Sequence, residues 1–376
     1  MLSRTFYQIT KMFKNVALLG IVTFFLATGF IVPSEPKDSA QAKIDEEFIK
    51  VIGIRKDYDS RDIDKIERLL KHGANVHAMI RVDDWPYYGD IPVIHYVAAF
   101  RSFAMLRMLI THGADPETSL PQHNATTLTA AIDCARDNLT ADCLDKAEYL
   151  LGHFHIDLNA QERVGMDSSG VTALMSAVGR TCSFDDCHET HDLRRRSLEL
   201  IRNLLAKGAN ANLKKSGDDW PETALLIAIS NSDKEVAELL IENGAEILVP
   251  EKTSAIDRCI LNSRPNTMLC DYLASKGAKF NSNLLIRATQ AWAYRDVTKA
   301  INYLIQRNLS LNFQDSQSGN TALHAAAKLC ERGNDIFQRL IAAGASDQIK
   351  NTEGRTAHEI LRSCQKSLIH IQKSKS

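Results

Sequence analysis

The stretch TCSFDDCHETHDLRRR (181–196) gathers Cys182, Cys187, His188 and His191 beside Asp185 and Asp186. Two thiolates and two imidazoles form a donor set that tetrahedral zinc accepts. The spacing C-x4-C-H-x2-H argues against such a site, because the adjacent Cys187 and His188 must bend sharply to reach one ion. In an oxidising compartment the two thiols form a disulfide by simpler chemistry. No metal and no cofactor is therefore assigned. A metal- or redox-responsive loop at 182–191 stands as an alternative function.

All eight cysteines follow residue 42 and fall in sequence-near pairs: Cys134/Cys143, Cys182/Cys187, Cys259/Cys270 and Cys330/Cys364. An even count with local spacing reads as a disulfide framework, although spacing alone leaves the connectivity open. Catalytic signatures do not appear. There is no Walker loop, no G-x-G-x-x-G, no H-E-x-x-H and no Ser–His–Asp order. The sequence reads as non-catalytic, with no small-molecule substrate. Three N-x-[ST] triplets at Asn124, Asn138 and Asn308 read as chance occurrences.

A different kind of residue recurs. Asp-Asp-Trp-Pro stands at 83–86 and again at 218–221, with Tyr87 and Tyr88 following the first copy. Exposed Trp and Tyr are enriched where proteins bind one another, and acidic neighbours add charge selectivity. Trp85, Tyr87, Tyr88, Asp218, Asp219 and Trp220 are the candidate partner-binding residues. The competing reading folds Trp220 down over the next turn.

The elements that position them come from a longer repeat. LLKHGAN (69–75), LITHGAD (109–115), LLAKGAN (204–210), LIENGAE (240–246), LASKGAK (273–279), LIQRNLS (304–310) and LIAAGAS (340–346) share one phrase. The later glycine positions 208, 244, 277, 308 (Asn) and 344 are spaced by 36, 33, 31 and 36 residues. That period belongs to helical-pair solenoids. Paired aliphatics close a buried helix face, and glycine ends the helix in the left-handed region without a Cβ clash. A second phrase precedes each such helix: GNTALHAAA (319–327), PETALLIAI (221–229) and GVTALMSAV (170–178). Its Thr can cap the helix start, and its alanines allow close approach.

In order, these phrases resemble the ankyrin repeat, T-P-L-H-x-A-A followed by L-L-x-x-G-A-D-V-N. GNTALHAAA with LIAAGAS is the nearest match, and the resemblance covers about residues 44 to 365. It implies an all-α, ankyrin-like solenoid of about eight helical-pair repeats with a C-terminal cap at 351–368. It also implies that His95 and His324 tie neighbouring turns together, and that the DDWP stretches occupy turn tips roughly 30 Å apart, given helix spacings of 8–10 Å. Glycines 113 and 208 are 95 residues apart, where two repeats take about 66. The excess is an insertion at 179–193. In LLGHFHIDLN (150–159) the phrase decays, so that turn is expected to be irregular.

Residues 17–32 read ALLGIVTFFLATGFIV without charge, after Arg4, Lys11 and Lys14 and before Ala40-Gln41-Ala42. Basic region, apolar core and A-x-A read as a secretory signal peptide over 1–42 cleaved after Ala42. Residues 43–376 then form the solenoid domain. The alternative is an uncleaved membrane anchor, as in host-directed effectors of this kind. The net charge is −1, and removing residues 1–42 leaves −3, a balance that points to no nucleic acid and no anionic membrane. The expected function is a protein–protein interaction module, exported to a periplasm or secreted. It binds another protein as scaffold, inhibitor or protective factor. A membrane enters only if the N-terminus stays uncleaved.

Overall fold

The computed structural model describes residues 39–53, 60–84, 87–120, 124–134, 139–164, 168–181, 191–215, 222–247, 255–262, 265–291, 298–307 and 309–373. The apolar 17–32 segment lies outside them, as do Cys182, Cys187, His188 and the second DDWP stretch. The chain divides into two compact units, Met1–Ala78 and Met79–Ser376.

The first unit holds α1 (Ser39–Gly53) and α2 (Ser60–Lys71). They pack through Phe48, Ile52 and Ile66, all fully buried. The Ala40-Gln41-Ala42 stretch lies in the first turn of α1. The Gln41 side chain donates to the Gly73 carbonyl at 2.8 Å.

The second unit is a series of antiparallel helix pairs: α3 (Val93–Phe100) with α4 (Phe103–Thr111), α5 (Thr127–Ile132) with α6 (Ala141–His153), α7 (Ala173–Gly179) with α8 (His191–Ala206), and α9 (Ala224–Ser230) with α10 (Lys234–Glu242). There follow α11 (Ala255–Ile260) with α12 (Thr267–Ser275), α13 (Leu284–Ala291) with α14 (Thr298–Gln306), and α15 (Ala322–Lys328) with α16 (Asn334–Ala342). A single helix, α17 (Ala357–Lys373), ends the series. Among the described residues the two units thus hold the expected eight pairs and a cap.

First and second helices differ in how much they bury. The first helices are six to eight residues long and sit between neighbours on both sides. All six residues of α5 are buried, as are Val93–Ala99 of α3. Small alanines make that sandwich possible. The second helices bury one stripe, such as Met105, Leu106 and Leu109 of α4. No pair can bury its core alone, so stacking is the source of stability.

Local chemistry sets the helix ends as the sequence predicts. Thr126, Thr172, Thr223 and Thr321 each accept a backbone N–H from three residues on. At the other end Gly208 and Gly344 take φ of 97° and 99°, where a Cβ is disfavoured. Helix α6 lacks that glycine. It ends in extended backbone at Phe154, the expected irregular turn.

Two turns extend into antiparallel hairpins, β1 (Met79–Asp84) with β2 (Tyr87–Pro92) and β3 (Glu162–Val164) with β4 (Ser168–Val171). In the first, Ile80 pairs with Ile91 and Arg81 with Asp90. Ile80, Val82 and Ile91 are buried while Met79 is 48% exposed, the alternation of a half-buried strand.

Candidate partner-binding edge

The turns between pairs are held in register by side-chain amides. Asn159 donates to the Gly208 carbonyl at 3.3 Å and accepts the Asn210 N–H at 2.8 Å. Asn212 repeats this on Gly244 and Glu246, at 2.9 and 2.8 Å. Asn312 accepts the Ser346 N–H at 2.8 Å. Nearer the tips, Asn124 donates to Gln161 O, Gln161 to Lys214 O and Gln314 to Lys350 O. These turns are thereby fixed to the next through side chains that match the backbone, and at the equivalent position Glu117 accepts the His155 N–H at 2.8 Å with a carboxylate.

The histidines complete this edge unequally. The Thr321 N–H donates to His324 Nδ1 at 3.2 Å, so that nitrogen is the acceptor. Nε2 then carries the proton and donates to Arg355 O at 3.1 Å, tying the last turn to the cap. His95 holds the same position in α3, but Pro92 replaces the capping Thr. Proline offers neither N–H nor hydroxyl. The His95 ring is fully buried, and neither nitrogen makes a hydrogen bond of ordinary geometry. Burial drives its pKa down to about 4, against a smaller opposing pull from the Ala125 carbonyl.

On this edge the first DDWP stretch closes a hairpin. Asp83 pairs with Tyr88 and Asp84 with Tyr87, with Trp85 and Pro86 between them and outside the described residues. Tyr87 and Tyr88 belong to strand β2. The second stretch, with Asp218, Asp219 and Trp220, lies outside the described residues but is bracketed by the Lys215–Glu222 bridge. Pro86 stands six residues before the α3 cap Pro92, and Pro221 stands two before the α9 cap Thr223. The two stretches therefore sit in different register relative to their helices.

The opposite edge, where the two helices of a pair connect, carries the cysteines. Cys134–Cys143 and Cys259–Cys270 are disulfide pairs within one repeat, each with Cα atoms 5.8 Å apart. Cys330–Cys364 joins the last repeat to the cap, at 5.6 Å. These are the pairings expected from locality.

The same edge holds charges that sequence reasoning missed. Lys146 is 1% exposed, donates to Ala98 O at 3.2 Å and meets Asp142 at 2.7 Å. Asp142 in turn accepts the Phe103 N–H at 2.8 Å. A cation thus sits at the C-terminus of α3 and an anion at the N-terminus of α4, as their dipoles favour. Burial pushes the Lys146 pKa down, with Asp142 opposing. Asp233 caps α10 and takes both Arg194 nitrogens at 2.6 and 2.8 Å.

Known proteins carry related sequences. Residues 193–283 match the family model for ankyrin repeats in three copies, and 318–352 match the single ankyrin repeat. These segments are ankyrin repeats. The ankyrin repeat and KH domain-containing protein mask-1 of Caenorhabditis elegans is 28% identical over 179 residues. That alignment spans 45% of this chain and 6% of the worm protein. Ankyrin repeats are generally non-catalytic scaffolds, and they make this chain a protein–protein interaction module.

Proposed function

We propose that this ankyrin-repeat chain is exported and binds a partner protein through its turn edge, as a scaffold, inhibitor or protective factor. The observation that carries the reading is the amide ladder, which holds successive turns in fixed register before any partner arrives. A preorganised surface loses little conformational freedom on binding. The residues proposed to meet the partner are Trp85, Tyr87, Tyr88, Asp218, Asp219 and Trp220, of which Tyr87 and Tyr88 lie in β2.

Recovery of partners from the native cell by the wild-type chain, and by Trp85→Ala/Trp220→Ala, tests the site. Selective loss of one partner with the double variant is the expected result; equal recovery of every partner rejects the tips. Export is supported by the three cysteine pairs. The intact mass, taken without reductant after thiol alkylation, tests it. A mass beginning at Lys43 with no alkylation is expected. A full-length, alkylated chain rejects export. Cleavage after Ala42 also removes the Gln41 hydrogen bond to Gly73.

A further inference from the structure

Side chains fill the space between most neighbouring second helices. Arg196 of α8 spans to Asp145 and Glu148 of α6 at 2.7 and 2.8 Å, and Arg194 spans to Asp233 and Glu235 near α10. The junction between α11/α12 and α13/α14 is different. Here α11 and α13 do not approach as closely as α9 with α11 or α13 with α15. The outer side of this junction opens into a recess of about 520 Å³ between α12 and α14.

The functional groups in the recess are unevenly spent. Its one carboxylate, Asp271, already accepts from the Tyr303 hydroxyl and the Arg307 guanidinium. Lys299, Asn302 and Gln306 make no side-chain hydrogen bond or ion pair among the described residues. Their spacing puts them on one stripe of α14, an ammonium followed by two amides and then the Arg307 guanidinium. Two cations against one anion leave a net positive recess whose unspent groups are mainly donors. Next to the lining residue Thr267 in α12 comes Met268. It is 68% exposed, one of two large exposed apolar side chains among the described residues. A thioether adapts to varied apolar partners.

We infer that the α12–α14 recess docks an acidic segment of a partner protein, one carboxylate meeting Lys299, Asn302 and Gln306 and an adjacent apolar side chain covering Met268. This rests on the protein-interaction reading but uses a face distinct from the turn edge. A free small anion would satisfy the donors and leave Met268 bare, so the segment must combine charge with an apolar residue.

The full oxidised chain is titrated with a fluorescent acetyl-Asp-Glu-Leu-Asp-Glu-Leu peptide, its Asn/Gln counterpart, and inorganic phosphate as competitor. The acidic peptide should bind about tenfold more tightly than the amide peptide and weaken with salt. Lys299→Glu should lower that affinity about tenfold, and Met268→Ser about threefold. Both residues are exposed, and an unchanged melting curve will show that the variants fold. Equal binding of both peptides, an unaffected Lys299→Glu variant, or full displacement by equimolar phosphate overturns the inference. A partner recovered equally by wild type and Lys299→Glu also overturns it, while leaving the interaction reading intact. Failure to recover any partner strikes the interaction reading instead, and the peptide titration still decides the recess.

Discussion

The two edges of the repeat stack are built from different materials. The turn edge uses one position repeatedly: Glu117, Asn159, Asn212 and Asn312 each accept a backbone N–H of the next turn, one through a carboxylate and three through an amide. The helix-connection edge mixes devices, although Asn231 and Asn262 donate alike to Val178 and Ile229. It uses Lys146 with Asp142 at one junction and Arg194 with Asp233 at another. At a third, Asn262 and Asn266 donate to Ile229, Ser230 and Ser232, and disulfides lie at others. A surface that must keep a constant period can vary little, whereas a connection between two helices can be closed by any group that satisfies the exposed helix ends.

The comparison is broken most severely at Asp233. Asp233→Ala removes the α10 cap and takes the two-pronged carboxylate away from the largely buried Arg194. A loss of about 3–5 kcal/mol is expected in urea unfolding, because a buried charge loses its partner. If the loss is below about 1 kcal/mol, the pair contributes no more than a surface ion pair.

His95 is the weak point of the turn edge. Its folded pKa of about 4 lies below the ordinary value near 6.5. The unfolded chain therefore takes up the proton first as pH falls. Stability is full above about pH 6.5 and declines toward pH 4, by on the order of 3 kcal/mol at most. His95→Gln should flatten that decline in melting curves taken across the window. An unchanged slope places the acid sensitivity elsewhere.

Opening the Cys259–Cys270 pair by the Cys259→Ser/Cys270→Ser double change should cost about 2–3 kcal/mol, the scale for a short closed loop. Hydrogen exchange should quicken in α11 and α12 ahead of α5 and α6, which keep Cys134–Cys143. The smallest effect belongs to the ladder itself. Asn212→Ala frees groups that are exposed to water, so about 1 kcal/mol or less is expected. A larger loss would mean that the ladder is cooperative.

The turn edge was legible in the sequence and the helix-connection edge was not. Helix-ending glycines, Thr caps and the His324 tie follow from backbone demands that recur at each period. Locality also pointed to Cys134/Cys143, Cys259/Cys270 and Cys330/Cys364. Lys146 was invisible, because a lysine reads as solvated until a neighbouring helix end and Asp142 are placed around it. The length of the first hairpin was hidden too, since DDWP marks a turn without saying how far along paired strands it stands. The α12–α14 recess depends on the distance between repeats, which no single phrase encodes.

The placement of the sulfur bridges has a consequence for biosynthesis. Cys134–Cys143 and Cys259–Cys270 join residues only 9 and 11 apart, and Cys330–Cys364 residues 34 apart. Each of the first two can close as soon as its own helix pair has emerged, without waiting for distant chain. Oxidation can thus proceed from the α5/α6 pair toward the last, in the order of synthesis. The final bridge forms only when α17 arrives, and it locks the end of a stack already assembled.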